Sequence, residues 1–195
     1  VDGANHNSYL GWEATLNKRM SNNYQFMATF SSDYRQERCN RESFSVFSGY
    51  NCSGSVPLNP NQALYDPSLR RWEWSGKLMG IYELPHGFMF SGILKSQSGQ
   101  HYGRELRLRD RNNRTVPIFV DHAKWQMPSL HLLDLRLAKE FEMSDRYKIE
   151  AMFDLFNVNN SSAVVAMSLR TGPSFQRPSK IPPGRILRLG AKFTF

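Results

Sequence analysis

The sequence predicts an all-β chain, an antiparallel transmembrane β-barrel segment of about seven strands. Two observations predict it. Apolar and polar residues alternate with a period of two in seven segments, each long enough for a tilted strand to cross a bilayer at about 9–11 residues. The connections between these segments alternate between short turns and long loops, as in membrane barrels. Because single-chain bacterial barrels close with even strand numbers, an odd number indicates part of a larger wall.

Each segment places its large apolar side chains on one face. The segments are Tyr9–Lys18, Tyr24–Ser32, Arg70–Tyr82, Phe88–Gln97, Leu132–Phe141, Tyr147–Phe156 and Arg185–Phe195. In the first, Leu10 and Trp12 share one face, while Glu13 lies on the other. This follows because successive side chains on a strand point to opposite sides. In the fifth segment Lys139 is an exception, since it falls on the apolar face.

The connections support the same interpretation. The short ones are Arg19–Asn23, Glu83–Gly87 and Glu142–Arg146, and the long ones are Tyr34–Leu69, Tyr102–His131 and Asn157–Gly184. Aromatic residues flank the short turns, where a membrane barrel carries an interfacial girdle: Tyr24, Tyr82, Phe88, Phe141 and Tyr147. The alternative is a soluble antiparallel sandwich. Its strands are usually about 5–6 residues long, and it would need a second layer that no spare segment supplies.

Composition excludes other classes of protein. The 195 residues are 40% hydrophobic with a mean hydropathy of -0.54, and no run of apolar residues is long enough for a membrane-spanning helix. Aromatic residues reach 13%. The net charge of +8 raises the question of nucleic acid, but the basic residues are scattered and no nucleic-acid-binding motif is present. We therefore expect no nucleic-acid partner.

The two cysteines indicate an oxidising compartment. Cys39 and Cys52 are separated by 12 residues rich in Ser, Asn and Gly, which favours one disulfide. Two thiols without a nearby pair of histidines lack the four ligands of a structural zinc site, so we expect no metal and no cofactor. The chain opens without an initiator Met, and Val1–Asn7 lacks a signal-peptide pattern, so we expect an N-terminal truncation.

Several motifs resemble the C-terminal barrel of TonB-dependent outer-membrane receptors, especially the Oar-like type with a carboxypeptidase-regulatory-like N-terminal domain. The motifs are Tyr9–Arg19, Tyr82–Phe88, Gln97–Tyr102, Asp134–Phe141, Asp154–Asn160 and Gly184–Phe195. They occur in the family's order and cover nearly the whole chain. His101 departs from the family's usual proline, and the segment around the cysteines has no counterpart.

The resemblance implies a location and a function. Residues 1–195 would form the C-terminal portion of a barrel of about 22 strands in the bacterial outer membrane, in contact with lipid and lipopolysaccharide. The whole receptor would bind and import a nutrient with energy from the TonB system, although no plug or TonB box is present in this sequence. In this family the last strand is the signal that the barrel assembly machinery recognises. In this sequence the signal would comprise Leu187, Leu189, Ala191, Phe193 and Phe195.

Two sets of charged residues are functional candidates. Arg104, Arg107, Arg109, Arg111 and Arg114 lie in a predicted extracellular loop, where they could meet lipopolysaccharide or an anionic ligand. The polar faces of the segments carry Glu13, Glu73, Lys77, Lys95, Arg136, Lys148, Glu150, Asp154, Arg188 and Lys192. For this second set we expect pairing between neighbouring strands, rather than a substrate path.

Two other functions were weighed. Ser129, His131 and Asp134 are close enough in sequence to suggest a hydrolase triad, but Asp134 belongs to the strand pattern, and proximity in sequence does not give the geometry of a triad. We therefore expect no enzymatic activity. A binding or adhesion barrel without transport is the alternative to import, and a plug domain encoded upstream would favour import.

The disulfide can be tested directly. We expect Cys39 and Cys52 to be linked, and closing a loop of this length should stabilise the loop by about 3 kcal/mol in the chain-entropy model. Mass spectrometry of protein alkylated without reductant should then find neither thiol modified. Two alkylated cysteines would contradict the prediction.

Overall fold

A computed structural model describes residues 7–38, 68–109, 111–113, 115–144 and 146–195. In chain order its strands are β1 (Asn7–Ser21), β2 (Tyr24–Arg38), β3 (Ser68–Leu84), β4 (Phe88–Gln97), β5 (His101–Arg109), β6 (Thr115–Gln126), β7 (Leu130–Ser144), β8 (Tyr147–Phe156), β9 (Ala166–Met167), β10 (Pro178–Lys180) and β11 (Ile186–Thr194). A short 3-10 turn, Pro85–Gly87, joins β3 to β4. No helix in these ranges is long and apolar enough to span a membrane.

Seven strands form one antiparallel sheet in the order β1-β2-β3-β4-β7-β8-β11. They coincide with the seven predicted segments, so the all-β class and the antiparallel pairing are confirmed. The sheet formed by the described strands is open, with β1 and β11 at its edges, and is not closed into a barrel. Several strands are longer than predicted. For example, the β2–β3 ladder continues from Tyr24↔Tyr82 to Arg38↔Ser68.

The three short turns lie at one end of the sheet, which we name the turn end. Asn22 and Asn23 have φ values of 54° and 66°, which is the backbone of the tight hairpin turn that asparagine favours. The backbone N–H of Glu83 donates to the Asn23 carbonyl at 2.7 Å, so the first turn is joined to the end of β3. The opposite end, to which the long connections attach, is the loop end.

The in-register ladders collect the large apolar side chains on one face of the sheet, the apolar face. Leu78 lies between Ala28 and Leu94, and similar rows cross all seven strands. Many members of this face are exposed: Trp12 (53%), Leu16 (60%), Trp72 (50%), Tyr82 (46%), Leu187 (56%) and Leu189 (73%). Among the residues whose side-chain burial the structure describes, the buried hydrophobic ones are Met127 and Ala138. No second layer in these ranges covers the apolar face, so the sheet has almost no core of its own.

The opposite, polar face is held by charge pairs between strands. Asp154 on β8 is buried and lies across from Arg136 on β7 and Arg188 on β11. Arg136 Nε donates to Asp154 Oδ1 at 2.5 Å, and Arg188 Nη2 donates to Oδ2 at 2.6 Å. Lys148 pairs in the same way with Glu140 and Glu142 at 2.8 and 3.1 Å. The predicted cross-strand pairing is therefore confirmed for Arg136, Lys148, Asp154 and Arg188.

Two of the predicted long loops contain strands, which corrects the prediction. Tyr102–His131 is largely a hairpin, β5–β6, and Asn157–Gly184 contains the short pair β9–β10. The two segments also meet, since the Glu105 N–H donates to the Leu169 carbonyl at 2.7 Å and the Thr171 N–H donates to the Glu105 carbonyl at 2.8 Å. The third connection is thus docked along the edge of β5. The first long connection lies mostly outside the described residues.

Asn157 anchors both ends of the third connection. Its side-chain nitrogen donates to the carbonyls of Ser161 and Pro183 at 3.2 and 2.7 Å, and its side-chain oxygen accepts from the Ser161 N–H at 2.8 Å. Its own N–H donates to the Asp134 carboxylate at 2.8 Å, and this bond ends β8. Asn157 also has a left-handed φ of 51°, which asparagine tolerates better than most residues.

We expect the side-chain hydrogen bonds and the backbone conformation of Asn157 to make separate contributions to the free energy of unfolding. Asn157→Gly removes the side-chain hydrogen bonds but keeps the backbone conformation, and should lower the free energy of unfolding by about 2–3 kcal/mol. Asn157→Ala should cost about 1 kcal/mol more, because alanine resists the left-handed backbone. Urea unfolding measures both.

The exposed turn residue Asn23 supplies the control, since it shares the positive φ. There, the Ala variant should still be less stable than the Gly variant, while the Gly variant should stay close to wild type. Equal stability of Asn157→Gly and wild type would contradict the anchoring role.

Candidate ligand site at the loop end

An open cavity of about 500 Å³ lies on the polar face at the loop end. We name it the loop-end cavity. The strands of the sheet contribute its polar lining, which comprises Ser31, Asp33, Arg35, Arg71, Glu73, Ser75 and Gln97. The segments on either side of the β5–β6 hairpin and Val164–Val165 of the third connection form its other wall.

The charges in the loop-end cavity balance. Arg35 Nε donates to Asp33 Oδ2 at 2.7 Å on the same strand. Asp33 lies directly across from Glu73, and Arg35 directly across from Arg71. Like charges therefore lie across from each other, while a carboxylate and a guanidinium alternate along each strand. Such an arrangement can hydrogen-bond a polar ligand without selecting for net charge.

Close backbone contact fixes the far wall of the cavity. The side-chain nitrogen of Gln126 donates to the Gly99 carbonyl at 3.0 Å, and the Met127 N–H donates to the Gln100 carbonyl at 3.0 Å. A Cβ atom at Gly99 would overlap the carbonyl oxygen of Met127. Only glycine therefore allows the two backbone segments at the base of the β5–β6 hairpin to approach this closely.

An aromatic cluster around Arg104 joins the β5–β6 hairpin to the third connection. The Arg104 guanidinium lies 5.4 Å from the ring centroid of Trp125 and 5.0 Å from that of Phe175. Trp125 in turn lies 5.9 Å from Tyr102 and 5.5 Å from Phe175. The side-chain nitrogen of Gln176 donates to the Tyr102 hydroxyl at 3.0 Å. This cluster holds both segments over the loop end of the sheet.

His101 sits at the base of the hairpin, beside the charges of β3. Burial lowers the pKa of its imidazole below the ordinary value of 6.5. The Glu73 carboxylate opposes this change in pKa, and the Arg71 guanidinium adds to it. The Nδ1 atom of His101 is buried and has no hydrogen-bond partner in the described part of the chain. The docked hairpin therefore favours the neutral imidazole.

The described arginines of the predicted ligand site have different positions and different partners. Arg104 is held among aromatic rings, while Arg107 points to the other face of β5 and pairs with Glu105 at 2.5 Å. Arg109 donates to the Asn113 side chain at 3.3 Å, and Arg111 is exposed in the turn that follows β5. These four arginines do not converge on one point. Arg114 lies outside the described residues.

Other predicted residues have clear positions. His131 Nδ1 lies 2.9 Å from Ser96 Oγ and falls on the opposite face of β7 from Asp134, whose carboxylate instead accepts the Asn157 N–H. Ser129, His131 and Asp134 are therefore not arranged as a triad. Cys39 and Cys52 lie outside the described residues, so their disulfide stays a prediction.

The five residues of the expected assembly signal share the apolar face of the last strand. Their exposed fractions include 73% for Leu189 and 89% for Phe195. Phe193 stacks on Tyr147 with ring centroids 5.9 Å apart, and Phe195 stacks on Phe193 at 6.0 Å. β11 pairs with β8 along one edge, and its other edge is unpaired within the described strands. The assembly role itself stays a prediction.

The loop-end cavity has no counterpart among the sites predicted from the sequence. The alternation in Arg70–Tyr82 predicts the polar-face positions of Arg71 and Glu73, but Asp33 and Arg35 lie beyond the predicted segment Tyr24–Ser32. A repeat of charged residues at alternate positions on β2 and β3 was the available signal. Within the described residues no group of His, Cys, Asp and Glu could hold a metal ion. Comparison with protein-family models, curated proteins and solved structures finds no match for this chain.

The His101 environment predicts a dependence of stability on pH. Since its pKa is lower in the folded chain than in the unfolded chain, the unfolded chain binds the proton more readily. The contribution of His101 is complete above pH 6.5 and is lost as pH falls through the interval between the unfolded and folded pKa values. The urea midpoint of unfolding of the wild-type protein should be lower at about pH 5.5 than at about pH 7.5.

In His101→Gln the difference in urea midpoint between the two pH values should be smaller, because the titrating group is gone. The exposed His86 is the matched control, and the effect of His101→Gln is measured against that of His86→Asn. A His101→Gln protein with an unchanged difference would show that other groups cause it.

Proposed function

We propose that this chain forms part of the wall of a bacterial outer-membrane receptor barrel that imports a polar nutrient with energy relayed by TonB. The observation that carries the proposal is the exposed apolar face. Its large side chains have no protein cover in the described residues. An exposed surface of this size is the sign of a membrane or a partner, since soluble monomers rarely leave such a surface open.

The spacing of aromatic residues on this face supports a lipid environment. Trp72 near the loop end and Tyr82 near the turn end are ten residues apart on β3, with the aliphatic Leu78 between them. Ten residues span about 34 Å along a strand. A tilt of about 40° reduces this to about 26 Å along the membrane normal, close to the apolar band of about 25 Å in outer-membrane barrels.

The backbone hydrogen bonds support the same proposal. Every interior strand of the main sheet is paired on both sides, and only β1 and β11 have a free edge within the described strands. In a bilayer each unpaired backbone group costs several kcal/mol, so these two edges need further strands. A larger barrel, of which these seven strands are one part, would supply them.

Sidedness follows from the lengths of the connections. In outer-membrane barrels the short turns face the periplasm and the long loops face the exterior. The loop-end cavity and the docked β5–β6 hairpin would then face outward. The mixed charges of Asp33, Arg35 and Glu73 suit a neutral or zwitterionic polar ligand. Import by means of TonB, and the absence of an enzymatic role, rest on the resemblance to TonB-dependent receptors.

Cysteine labelling on intact cells tests the proposed topology. Arg107→Cys in the β5–β6 hairpin should react with a membrane-impermeant maleimide, and His86→Cys in the short turn should react only after the outer membrane is permeabilised. The unsubstituted protein is the control for Cys39 and Cys52. The converse labelling would invert the topology, and equal labelling of both positions would exclude a spanning sheet.

A comparison of strains separates import from adhesion. Depletion of polar compounds from the growth medium is measured in wild type, in a strain lacking this gene and in a strain lacking TonB. Import predicts that the same compounds remain undepleted in both mutants. Unchanged depletion together with reduced cell attachment would favour an adhesion barrel.

A further inference from the structure

Two lysines lie on the apolar face at the turn end, where a charge is unexpected. Lys18 is on β1 and pairs across with Phe26, and Lys139 is on β7 and pairs across with Phe88. Both positions belong to rows that are otherwise apolar. An isolated ammonium group is strongly disfavoured in hydrocarbon, so each needs a polar environment.

Both lysines hydrogen-bond to backbone carbonyls of a neighbouring turn and contact an aromatic ring. Lys18 Nζ donates to the Ser21 and Tyr24 carbonyls at 2.8 and 3.2 Å and lies 3.5 Å from the centre of the Tyr24 ring. Lys139 Nζ donates to the His86 carbonyl and lies 4.2 Å from the centre of the Phe88 ring. Each ammonium group thus reaches the neighbouring turn across an exposed aromatic ring.

Among the described residues, no carboxylate neutralises the charge of either lysine. The bonding partners are neutral carbonyls, a hydroxyl and aromatic rings, and neither ammonium forms an ion pair with a described carboxylate. Elsewhere the described lysines and arginines include close pairs, such as Lys148 with Glu140. Both charges are therefore available to a counter-ion from outside the described residues.

We propose that Lys18 and Lys139 form a phosphate-binding rim for anionic phospholipid headgroups in the leaflet at the turn end of the sheet. The inference rests on the proposed membrane location. The exposed rings of Tyr24, Phe88 and Phe141 provide the amphipathic surface that favours the headgroup level. The long stems of the lysines carry their charges from the apolar face to that level.

The two lysines would engage different lipids. They lie on β1 and β7, which are separated by three strands in the sheet, or about 19 Å at about 4.8 Å per strand. Because that distance exceeds the reach of one headgroup, their effects on lipid affinity should be independent. An anionic surface contributes about a fivefold increase in affinity for each lysine near it.

Native mass spectrometry of the intact protein, titrated with phosphatidylglycerol or phosphatidylcholine in detergent micelles, tests this proposal. Lys18→Gln and Lys139→Gln should each weaken phosphatidylglycerol binding at one site about fivefold, and the double variant should weaken binding at both sites about fivefold, with phosphatidylcholine binding unchanged. The control is the double variant Lys77→Gln, Lys95→Gln, which removes the same charge from the polar face and should bind phosphatidylglycerol as wild type does.

Unchanged phosphatidylglycerol affinity in the double variant would overturn the proposal and leave the lysines as caps of the turns. Equal losses in the polar-face control would also overturn it, because net charge alone would then explain the binding. The cysteine labelling described above separates this failure from failure of the membrane topology. If labelling is sided and lipid affinity is unchanged, only the lysine rim is wrong.

Discussion

The uncovered apolar face is the constraint on which the rest of this structure depends. Antiparallel pairing in register places the apolar side chains of seven strands on one side, and nothing in the described residues packs against them. In water each large side chain such as Leu189 would forgo about 1.5–3 kcal/mol of burial, and the sheet has no core to compensate. In lipid the same face is solvated, and the paired backbone becomes the main source of order.

The polar face must then fix the register of the strands without help from a core. The buried Asp154 joins Arg136 and Arg188 across three neighbouring strands. A slip of one residue would turn Asp154 toward the apolar face, where its charge would have no partner, so this contact opposes misregistration more strongly than an apolar pair could. Asn157, three residues further on, closes the same three-strand unit at the loop end through its bonds to Asp134 and Pro183.

The seven main strands could be predicted because alternation, turn residues and connection lengths agree in each of them. The β5–β6 hairpin was missed although Leu106 and Leu108 alternate with charged residues on β5, since Pro117 weakens the strand pattern of its partner. β9 and β10 have two and three residues, too few to carry a period. The loop-end cavity could not be predicted, because Asp33 and Glu73 are distant in sequence and meet only through the β2–β3 register, which one sequence does not fix.

The partners of the positive charges differ between the two faces at the turn end, since Lys148 on the polar face pairs with Glu140 and Glu142 while Lys18 and Lys139 lie on the apolar face. At the loop end Arg35 and Arg107 pair with carboxylates of the protein, so their charge shapes local structure and is neutralised there. In the described part of the chain Lys18 and Lys139 bind neutral groups and no carboxylate, so their charge remains available to the surroundings. A sheet with symmetrical charge could enter a bilayer in either orientation. In the proposed membrane location the short turns, the exposed aromatic rings and these two lysines would all lie at one surface, so the residues that close the hairpins would also distinguish the two membrane surfaces.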